Sequence, residues 1–183
     1  MKILAVQNRM GIGDTIIFLP YIKALYKKFN SPISLLVKES SKANQYLYQT
    51  KYIDKILVLE DDKKNSNRHS GFLGGIKLIE DLNKYNFDKI FIFNSSFRFY
   101  LISKFSRISE VYQYPLFQKR KQHITDTPKK FIKDKLNLEI NEDPVIQIDD
   151  KLSSEWIEKF QINKNEMNIL LGIGGSGPTK RIP

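Results

Sequence analysis

The stretch that decides the fold reads Met1-Lys-Ile-Leu-Ala-Val-Gln7, then Asn-Arg-Met, then Gly11-Ile-Gly-Asp14 and Thr15-Ile-Ile-Phe-Leu-Pro20. A short apolar run, a glycine turn and an apolar pattern at helical spacing are typical of a strand, loop and helix in an α/β protein. The apolar run has no small-residue cleavage site after it, so it predicts a first strand and not a signal peptide. We therefore predict a strand at residues 3–7 and a helix at residues 15–29.

The same alternation continues along the chain. Further strands are predicted at residues 33–37, 55–59, 89–93 and 145–148, and further helices at residues 40–49 (with a serine cap), 71–85, 129–136 and 152–160. Near-continuous apolar strands separated by helices predict a parallel sheet that is covered on both faces. The predicted fold class is therefore α/β, with a Rossmann-like domain over residues 1–160.

The end of the chain predicts the beginning of a second unit. Residues 161–166 are polar and are interpreted as a linker, and residues 168–172 as the first strand of another Rossmann-like domain. A glycine-rich loop follows, and the sequence stops at Pro183, where the next helix is expected. We therefore expect residues 161–183 to be the start of a truncated C-terminal domain in a protein that naturally continues.

The composition narrows the classes of function. The chain has no cysteine, and its two histidines, His69 and His123, lie far apart, so thiolate and histidine metal sites are disfavoured. The net charge is +10, but only six of the 30 basic residues are arginines, which argues against nucleic-acid binding. Anionic substrates or an anionic membrane surface fit the diffuse positive charge better. The chain is interpreted as a cytoplasmic protein.

The first candidate site is the turn that contains Gly11, Gly13 and Asp14, directly between the first strand and the first helix. Ligands of parallel sheets bind outside the carboxyl ends of the strands, and a helix N-terminus favours an anion. Ile16 stands where the dinucleotide fingerprint requires a small residue, so nicotinamide or flavin binding is disfavoured. Asp14 has two interpretations, a functional carboxylate or an N-cap residue.

The second candidate site is the loop over residues 172–181. Its glycines, hydroxyls and cations before an expected helix suit a diphosphate. The residues assigned to that role are Gly174, Gly175, Ser176, Thr179, Lys180 and Arg181. The alternative is a flexible connector with solvated charges.

Two further segments are basic and polar. Residues 60–70 are interpreted as a mobile surface loop, and the run Lys119-Arg120-Lys121 lies in a second irregular region. The charges of residues 63–68 and 119–121 either contact an anionic acceptor or membrane surface, or are ordinary solvated loop charges.

Several short motifs occur here in a fixed order. They are Gly13-Asp14 after the first strand, the proline-interrupted helix from Pro20 to Leu25, Tyr52-Ile53-Asp54, Phe87-Asp88 leading to Ser96-Phe97-Arg98, and Lys180-Arg181-Ile182-Pro183. In this order and spacing the chain resembles glycosyltransferase family 9, the bacterial ADP-heptose:lipopolysaccharide heptosyltransferases. The resemblance runs along the whole chain and covers about the first half of such an enzyme.

The resemblance implies a GT-B architecture, with two Rossmann-like domains that face each other across a cleft. It implies that Asp14 is the general base of an inverting sugar transfer and that Gly11, Gly13, Ser96 and Arg98 lie on the acceptor side. The donor would be a nucleotide-sugar, ADP-heptose first, bound without metal or other cofactor by the glycine-rich loop. The acceptor would be a lipid-linked glycan of the lipopolysaccharide core, reached by a peripheral contact with the inner membrane.

Two other expectations belong beside this one. Residues 1–183 alone are expected to be inactive, because most of the nucleotide site should lie beyond Pro183. The alternative function is a non-enzymatic basic α/β module that binds a polyanion or a protein partner.

Overall fold

The computed structural model describes residues 1–9, 11–61, 67–116 and 123–169. The chain divides into two compact units, Met1–Gln147 and Ile148–Pro183. The predicted domain boundary at residues 160 and 161 remains a prediction.

Five parallel strands form one sheet in the first unit. The strands are β1 (Ile3–Gln7), β2 (Ile33–Lys38), β3 (Ile53–Leu59), β4 (Lys89–Ile92) and β5 (Glu110–Gln113). Their order in the sheet is β3-β2-β1-β4-β5, so β1 is the central strand. In the register of the sheet, Ile3 lies opposite Ile33 on one side and Lys89 on the other.

Six α-helices and one 3₁₀ turn are present among the described residues. They are α1 (Ile12–Phe29), the 3₁₀ turn Glu39–Ser41, α2 (Ala43–Tyr46), α3 (Gly71–Asn83), α4 (Phe97–Phe105), α5 (Asp126–Leu136) and α6 (Asp150–Lys159). Helix α1 continues through Pro20, which is buried. In α6, which lies in the second unit, the Asp149 side chain accepts hydrogen bonds from Lys151 N at 2.8 Å and Leu152 N at 3.2 Å.

Hydrophobic cores cover both faces of the sheet, as the sequence predicts. Successive residues of β1 point to opposite faces, so Ile3 and Ala5 belong to one core and Leu4 and Val6 to the other. The first core is closed by α1 and α5, with buried Phe18, Leu19, Leu25, Phe131 and Ile132. The second is closed by α3 and α4, with buried Leu78, Leu82, Phe99 and Ile102. The predicted α/β class with a parallel sheet is confirmed.

The fifth strand differs from the prediction. Residues 145–148 are apolar but form no strand, and Val145 and Ile148 are 63% and 70% exposed. The edge position is taken by β5, which pairs with β4 from Lys89 opposite Glu110. A strand at the edge of a sheet has a neighbouring strand on one side only and is less buried than a central strand. The short β5 can therefore be mostly polar, and it lacks the apolar run from which the other strands were predicted.

Two local predictions are also corrected. The helix predicted at residues 40–49 is only the 3₁₀ turn and the four-residue α2, and the residue before α2 is Lys42, in the left-handed conformation. The segment 60–70 is predicted to be a mobile loop, and its residues 62–66 lie outside the described part of the chain. Its last part is packed, because His69 is 4% exposed. A Cβ on Gly74 of α3 would lie 2.3 Å from the carbonyl carbon of His69, so the backbone at His69 packs directly on α3.

Candidate functional site

The strand order creates a crevice at the carboxyl ends of β1 and β4. From β1 the chain crosses to β2 on one side, and from β4 it crosses to β5 on the other side. The connections that follow β1 and β4 therefore leave the sheet in opposite directions, which is the topological switch point where open α/β sheets bind ligands. The connection after β1 leads into α1, and the connection after β4 leads into α4.

Buried Gln7 fixes the turn between β1 and α1. Its side chain donates from Nε2 to the carbonyl oxygen of Asp14 at 3.3 Å, and its Oε1 accepts from Arg9 N at 3.0 Å. Thr15 Oγ1 donates to the carbonyl oxygen of Gly11 at 3.3 Å. Gly11 has φ 115° and ψ 155°, a backbone conformation that is almost restricted to glycine. These contacts hold the first turn of α1 in one position against the end of β1.

Asp14 is the third residue of α1 and is partly exposed. The residue before the helix is Gly11, so the interpretation of Asp14 as the N-cap is wrong. Within the described part of the chain its carboxylate has no hydrogen bond or ion pair, and the amino end of a helix favours its negative charge. A Cβ on Gly11 would lie 3.5 Å from Asp14 Oδ2, whereas Gly13 has no atom near its missing Cβ. The carboxylate is thus held at the crevice and is free to accept a proton or a hydrogen bond.

An amide pair joins the two connections of the crevice. Asn94, after β4, donates from Nδ2 to Oδ1 of Asn8, after β1, at 3.2 Å. Its own Oδ1 accepts from Ser96 N at 2.9 Å. Gln113, the last residue of β5, donates to the carbonyl oxygens of Asn94 and Ser96 at 3.2 and 2.9 Å. Asn8, Asn94 and Gln113 were not among the sequence predictions, although each comes at or just after the end of a strand.

The predicted acceptor-side residues are only partly brought together. Ser96 immediately precedes α4 and is tied to the crevice through Asn94. Arg98 lies in the first turn of α4 and donates to the carbonyl oxygen of His69. Its Nε is buried without a partner among the described residues. The structure therefore groups Gly11, Gly13 and Ser96 around the crevice and turns Arg98 towards His69.

Tyr114, just beyond β5, adds a buried hydroxyl on the side of the sheet that α1 covers. Burial raises the pKa of Tyr114 far above its usual range, Tyr21 raises it further, and Arg9 opposes the shift. The hydroxyl has no hydrogen-bond partner in the described residues. Tyr114 therefore remains a neutral donor and acceptor at neutral pH.

The remaining predicted site residues lie outside the described part of the chain. These are Gly174, Gly175, Ser176, Thr179, Lys180 and Arg181 of the glycine-rich loop. Lys119-Arg120-Lys121 and residues 62–66 also lie outside it. Their assignments remain predictions.

The described residues contain neither a cluster of metal-binding side chains nor a helix suited to span a membrane. No group of three or more histidine, aspartate or glutamate side chains is placed to hold a metal ion there. Among the same residues, none of the helices has both the length and the apolar character that a membrane span requires.

The fold is similar to that of solved glycosyltransferases. All of the chain aligns with 56% of the glycosyl transferase family 9 structure from Veillonella parvula DSM 2008, with a TM-score of 0.72 and 16% identity. The chain aligns over 90% of its length with 52% of E. coli ADP-heptose lps heptosyltransferase II (TM-score 0.55, 16% identity). It aligns over 78% with 49% of E. coli heptosyltransferase WaaC with ADP (TM-score 0.52, 14% identity).

The chain spans about half the length of these solved proteins. No family model and no curated protein matches its sequence. At the level of the fold, the structural comparison confirms the resemblance to glycosyltransferase family 9 that the sequence motifs indicated.

Proposed function

We propose that this chain is the acceptor-side half of a GT-B sugar transferase in which Asp14 is the general base. One observation carries the proposal: the Asp14 carboxylate lies on the first turn of α1, beside the β1–β4 crevice, without a partner among the described residues. A carboxylate without such a partner, placed where open α/β sheets bind ligands, is available for proton transfer.

The proposed chemistry is an inverting displacement. A hydroxyl oxygen of the acceptor attacks the anomeric carbon of the donor sugar while the bond from that carbon to the diphosphate oxygen breaks. Asp14 accepts the hydroxyl proton, and the nucleoside diphosphate leaves with the bonding electron pair. General-base assistance of this kind contributes roughly 10²–10⁴-fold to the rate.

The amide pair supports binding of a polyhydroxylated acceptor. Each amide group has hydrogen-bond donors and an acceptor, which matches sugar hydroxyls. Asn94 donates a hydrogen bond to Asn8 at 3.2 Å, and Ser96 lies with Asn94 in the connection between β4 and α4. We assign this edge, with Gly11 and Gly13, to the acceptor. Arg98 is kept on the acceptor side from the family resemblance, two residues after Ser96, and its side chain donates to the carbonyl oxygen of His69.

The donor is proposed to be a nucleotide-sugar, with ADP-heptose the first to test. Two of the similar structures are named for ADP-heptose or for bound ADP. Lys180 and Arg181, with the glycines and hydroxyls of the same loop, would offset the negative charge on the departing diphosphate. The acceptor is proposed to be a lipid-linked glycan of the lipopolysaccharide core. The enzyme would work in the cytoplasm in peripheral contact with the inner membrane.

The test is turnover of a panel of nucleotide-sugars, ADP-heptose first, by the protein in which this chain is joined to its nucleotide-binding domain. Asp14→Asn should lower kcat by roughly 10²–10⁴-fold and leave KM for the donor nearly unchanged, because it removes proton transfer without removing a donor contact. The matched control is Asp134→Asn, which changes an exposed carboxylate on α5 and should keep wild-type turnover.

Three results bear on the proposal. Equal turnover by Asp14→Asn and wild type would exclude Asp14 as the base. Absence of turnover with every donor, together with salt-sensitive retention of polyanions, would favour the non-enzymatic basic module. Residues 1–183 alone should show no transfer, and transfer by that chain would contradict the two-domain arrangement.

A further inference from the structure

An apolar groove runs between α3 and α4, on the face of the sheet opposite α1. It has a volume of about 570 Å³. Phe72, Ile76 and Ile79 line it from α3, and Phe97, Leu101 and Phe105 line it from α4. Spacings of three and four residues place each set along one side of its helix. We refer to these six residues as the α3–α4 face.

The face is far more exposed than its apolar character would lead one to expect. The most exposed members are Phe72 at 85%, Phe105 at 72% and Phe97 at 60%, and the neighbouring Leu73 is 71% exposed. The inner sides of both helices are buried normally, through Leu78 and Leu82 in α3 and Phe99 and Ile102 in α4. The exposed residues of the face are therefore not needed to fill the hydrophobic core. Contiguous exposed apolar surface of this kind marks a contact site.

The charges around the face are mainly positive. From Phe97 to Arg107 the sequence contains Arg98, Lys104 and Arg107 and no aspartate or glutamate. Lys104 lies over the ring of Tyr100, with its Nζ 5.7 Å from the ring centroid. On α3, Asp81 is neutralised by ion pairs with Arg68 and Lys84. The exposed aromatic side chains thus lie close in sequence to Lys104 and Arg107, while Asp81 on the facing helix is already paired and Glu80 is an exposed acid of that helix.

We propose that the α3–α4 face docks on the surface of an anionic lipid bilayer. Phe and Leu side chains enter the boundary between headgroups and acyl chains, and neighbouring lysine and arginine side chains contact the anionic headgroups. This proposal rests in part on the membrane contact proposed above. It assigns that contact to a surface distinct from the basic segments 63–68 and 119–121.

The charge pattern favours a bilayer over a second copy of the chain. A symmetric dimer through this face would bring the same patch of each copy together, so two surfaces that both carry Lys104 and Arg107 would face each other. Like charges at such an interface oppose association. An anionic surface meets the same cations with opposite charge.

Because the chain has no cysteine, single reporter sites can be introduced cleanly. We would label Phe72→Cys and Phe105→Cys with an environment-sensitive fluorophore, and Tyr48→Cys as the matched control. Tyr48 is 62% exposed and lies outside the α3–α4 face. Each protein is mixed, without donor, with vesicles of phosphatidylcholine alone or of phosphatidylcholine with phosphatidylglycerol. Fluorescence at positions 72 and 105 should increase only with the anionic vesicles, and the signal at position 48 should not change.

Co-sedimentation with the same vesicles supplies the energetic test. Phe72→Ser combined with Phe105→Ser should weaken binding at least about tenfold, because two aromatic side chains no longer enter the bilayer. Lys104→Gln combined with Arg107→Gln should weaken binding and reduce its dependence on salt. Tyr48→Ser should bind like wild type. Far-ultraviolet circular dichroism confirms that each variant is folded.

Vesicle binding that is unaffected by the Phe72/Phe105 substitutions would overturn the proposal. So would self-association in the absence of lipid that the same substitutions abolish, since that result identifies a second copy as the occupant. Labels at positions 72 and 105 that are shielded from a water-soluble quencher before lipid is added would also overturn it. None of these measurements involves sugar transfer, so failure here leaves the proposed transferase function intact.

Discussion

At the scale of single residues, Asp81 gathers donors from three side chains around one carboxylate. Arg68 donates from Nε to Oδ2 at 3.0 Å and from its terminal nitrogen to Oδ1 at 3.0 Å, and Lys84 donates to Oδ1 at 2.7 Å. His69 Nδ1 accepts from Glu60 N at 3.0 Å, so its Nε2 carries the proton that faces Asp81 Oδ2 at 3.1 Å. This cluster fixes the segment before α3.

The cluster predicts a dependence of stability on pH. Burial alone would raise the pKa of Asp81, but hydrogen bonds from Lys84, His69 and Arg68 lower it well below its usual range. In acid the unfolded chain therefore binds a proton at Asp81 before the folded chain does. The stabilisation is complete above about pH 5 and is lost as the pH falls through and below the ordinary aspartate value of 3.8.

Asp81→Asn should lower the free energy of unfolding at neutral pH by about 1 to 2 kcal/mol, since it weakens charge-assisted hydrogen bonds that are partly exposed to solvent. Urea unfolding from neutral pH down to about pH 3 measures this. The difference between variant and wild type should shrink as the pH falls. Glu80→Gln, an exposed change at the adjacent position, is the control. A difference that stays constant at every pH would contradict the assignment.

The sequence pointed to Asp14 but not to the amide side chains of the same crevice. A lone carboxylate beside glycines at the first strand–helix turn is visible in the sequence, and the structure places it at the crevice. Asn8, Asn94 and Gln113 come together only because β1, β4 and β5 pair in the sheet. Asn8 and Asn94 are 86 positions apart in the sequence, and Asn94 and Gln113 are 19 positions apart. Arg98 shows the converse, because sequence proximity to Ser96 did not reveal its bond to His69.

At the scale of elements, α3 is set against the preceding segment by a close backbone contact at Gly74. The missing Cβ would lie 2.3 Å from the carbonyl carbon of His69 and 2.8 Å from its oxygen. These are backbone atoms, which cannot move aside like the end of a side chain. Any side chain at position 74 therefore displaces α3 from His69.

Gly74→Ala should destabilise the protein by about 1 to 3 kcal/mol through overpacking. Gly75→Ala is a matched control in the same helix, where no atom lies within 4 Å of the added Cβ. It should be neutral or stabilising by up to about 1 kcal/mol, because alanine is the better helix former. Thermal unfolding of the two variants measures the difference. Equal losses at both positions would show that helix propensity, and not the contact with His69, decides the outcome.

Elements with strong apolar patterns were predicted correctly, and short or weakly patterned ones were not. Residues 3–7, 33–37 and 89–93 are near-continuous apolar runs with one polar residue each, and β1, β2 and β4 lie within or close to these ranges. The edge strand β5 and helix α4 were missed. In α4, aromatic and aliphatic residues occur on both the buried and the exposed sides. This helix therefore lacks the polar face by which an amphipathic helix is predicted from a sequence.

At the scale of the whole molecule, both hydrophobic cores lie within residues 1–147. Every buried residue of the two cores belongs to that unit, and α6 has no buried residue. The sequence placed the boundary at residue 160, because the polar stretch after α6 has the composition of a linker. That boundary remains a prediction, and the two cores show only that residues 1–147 contain the buried side chains of the sheet and its helices.

Residues 1–147 should therefore fold alone, with a thermal unfolding midpoint within a few degrees of that of the 183-residue chain. A chain of residues 1–160 should behave in the same way. Truncation after residue 124 is the contrasting variant, because it removes α5 with buried Phe131 and Ile132. It should unfold at a much lower temperature. A large loss of stability on removal of residues 148–160 would show that α6 belongs to the first core.

The central place of β1 also affects how the chain reaches its native state. One partner, β2, begins 30 positions later, but the other, β4, begins 86 positions later, with β3 and α3 between them. During synthesis β1 leaves the ribosome before the other strands of the sheet. The side of β1 that pairs with β4 stays unpaired until residues 89–92 emerge. Parallel pairing across such distances is slow, and an unpaired apolar strand is prone to aggregation. Synthesis and refolding should therefore be most sensitive to chaperones before β4 has paired with β1, although β1 has a partner strand on both sides in the folded sheet.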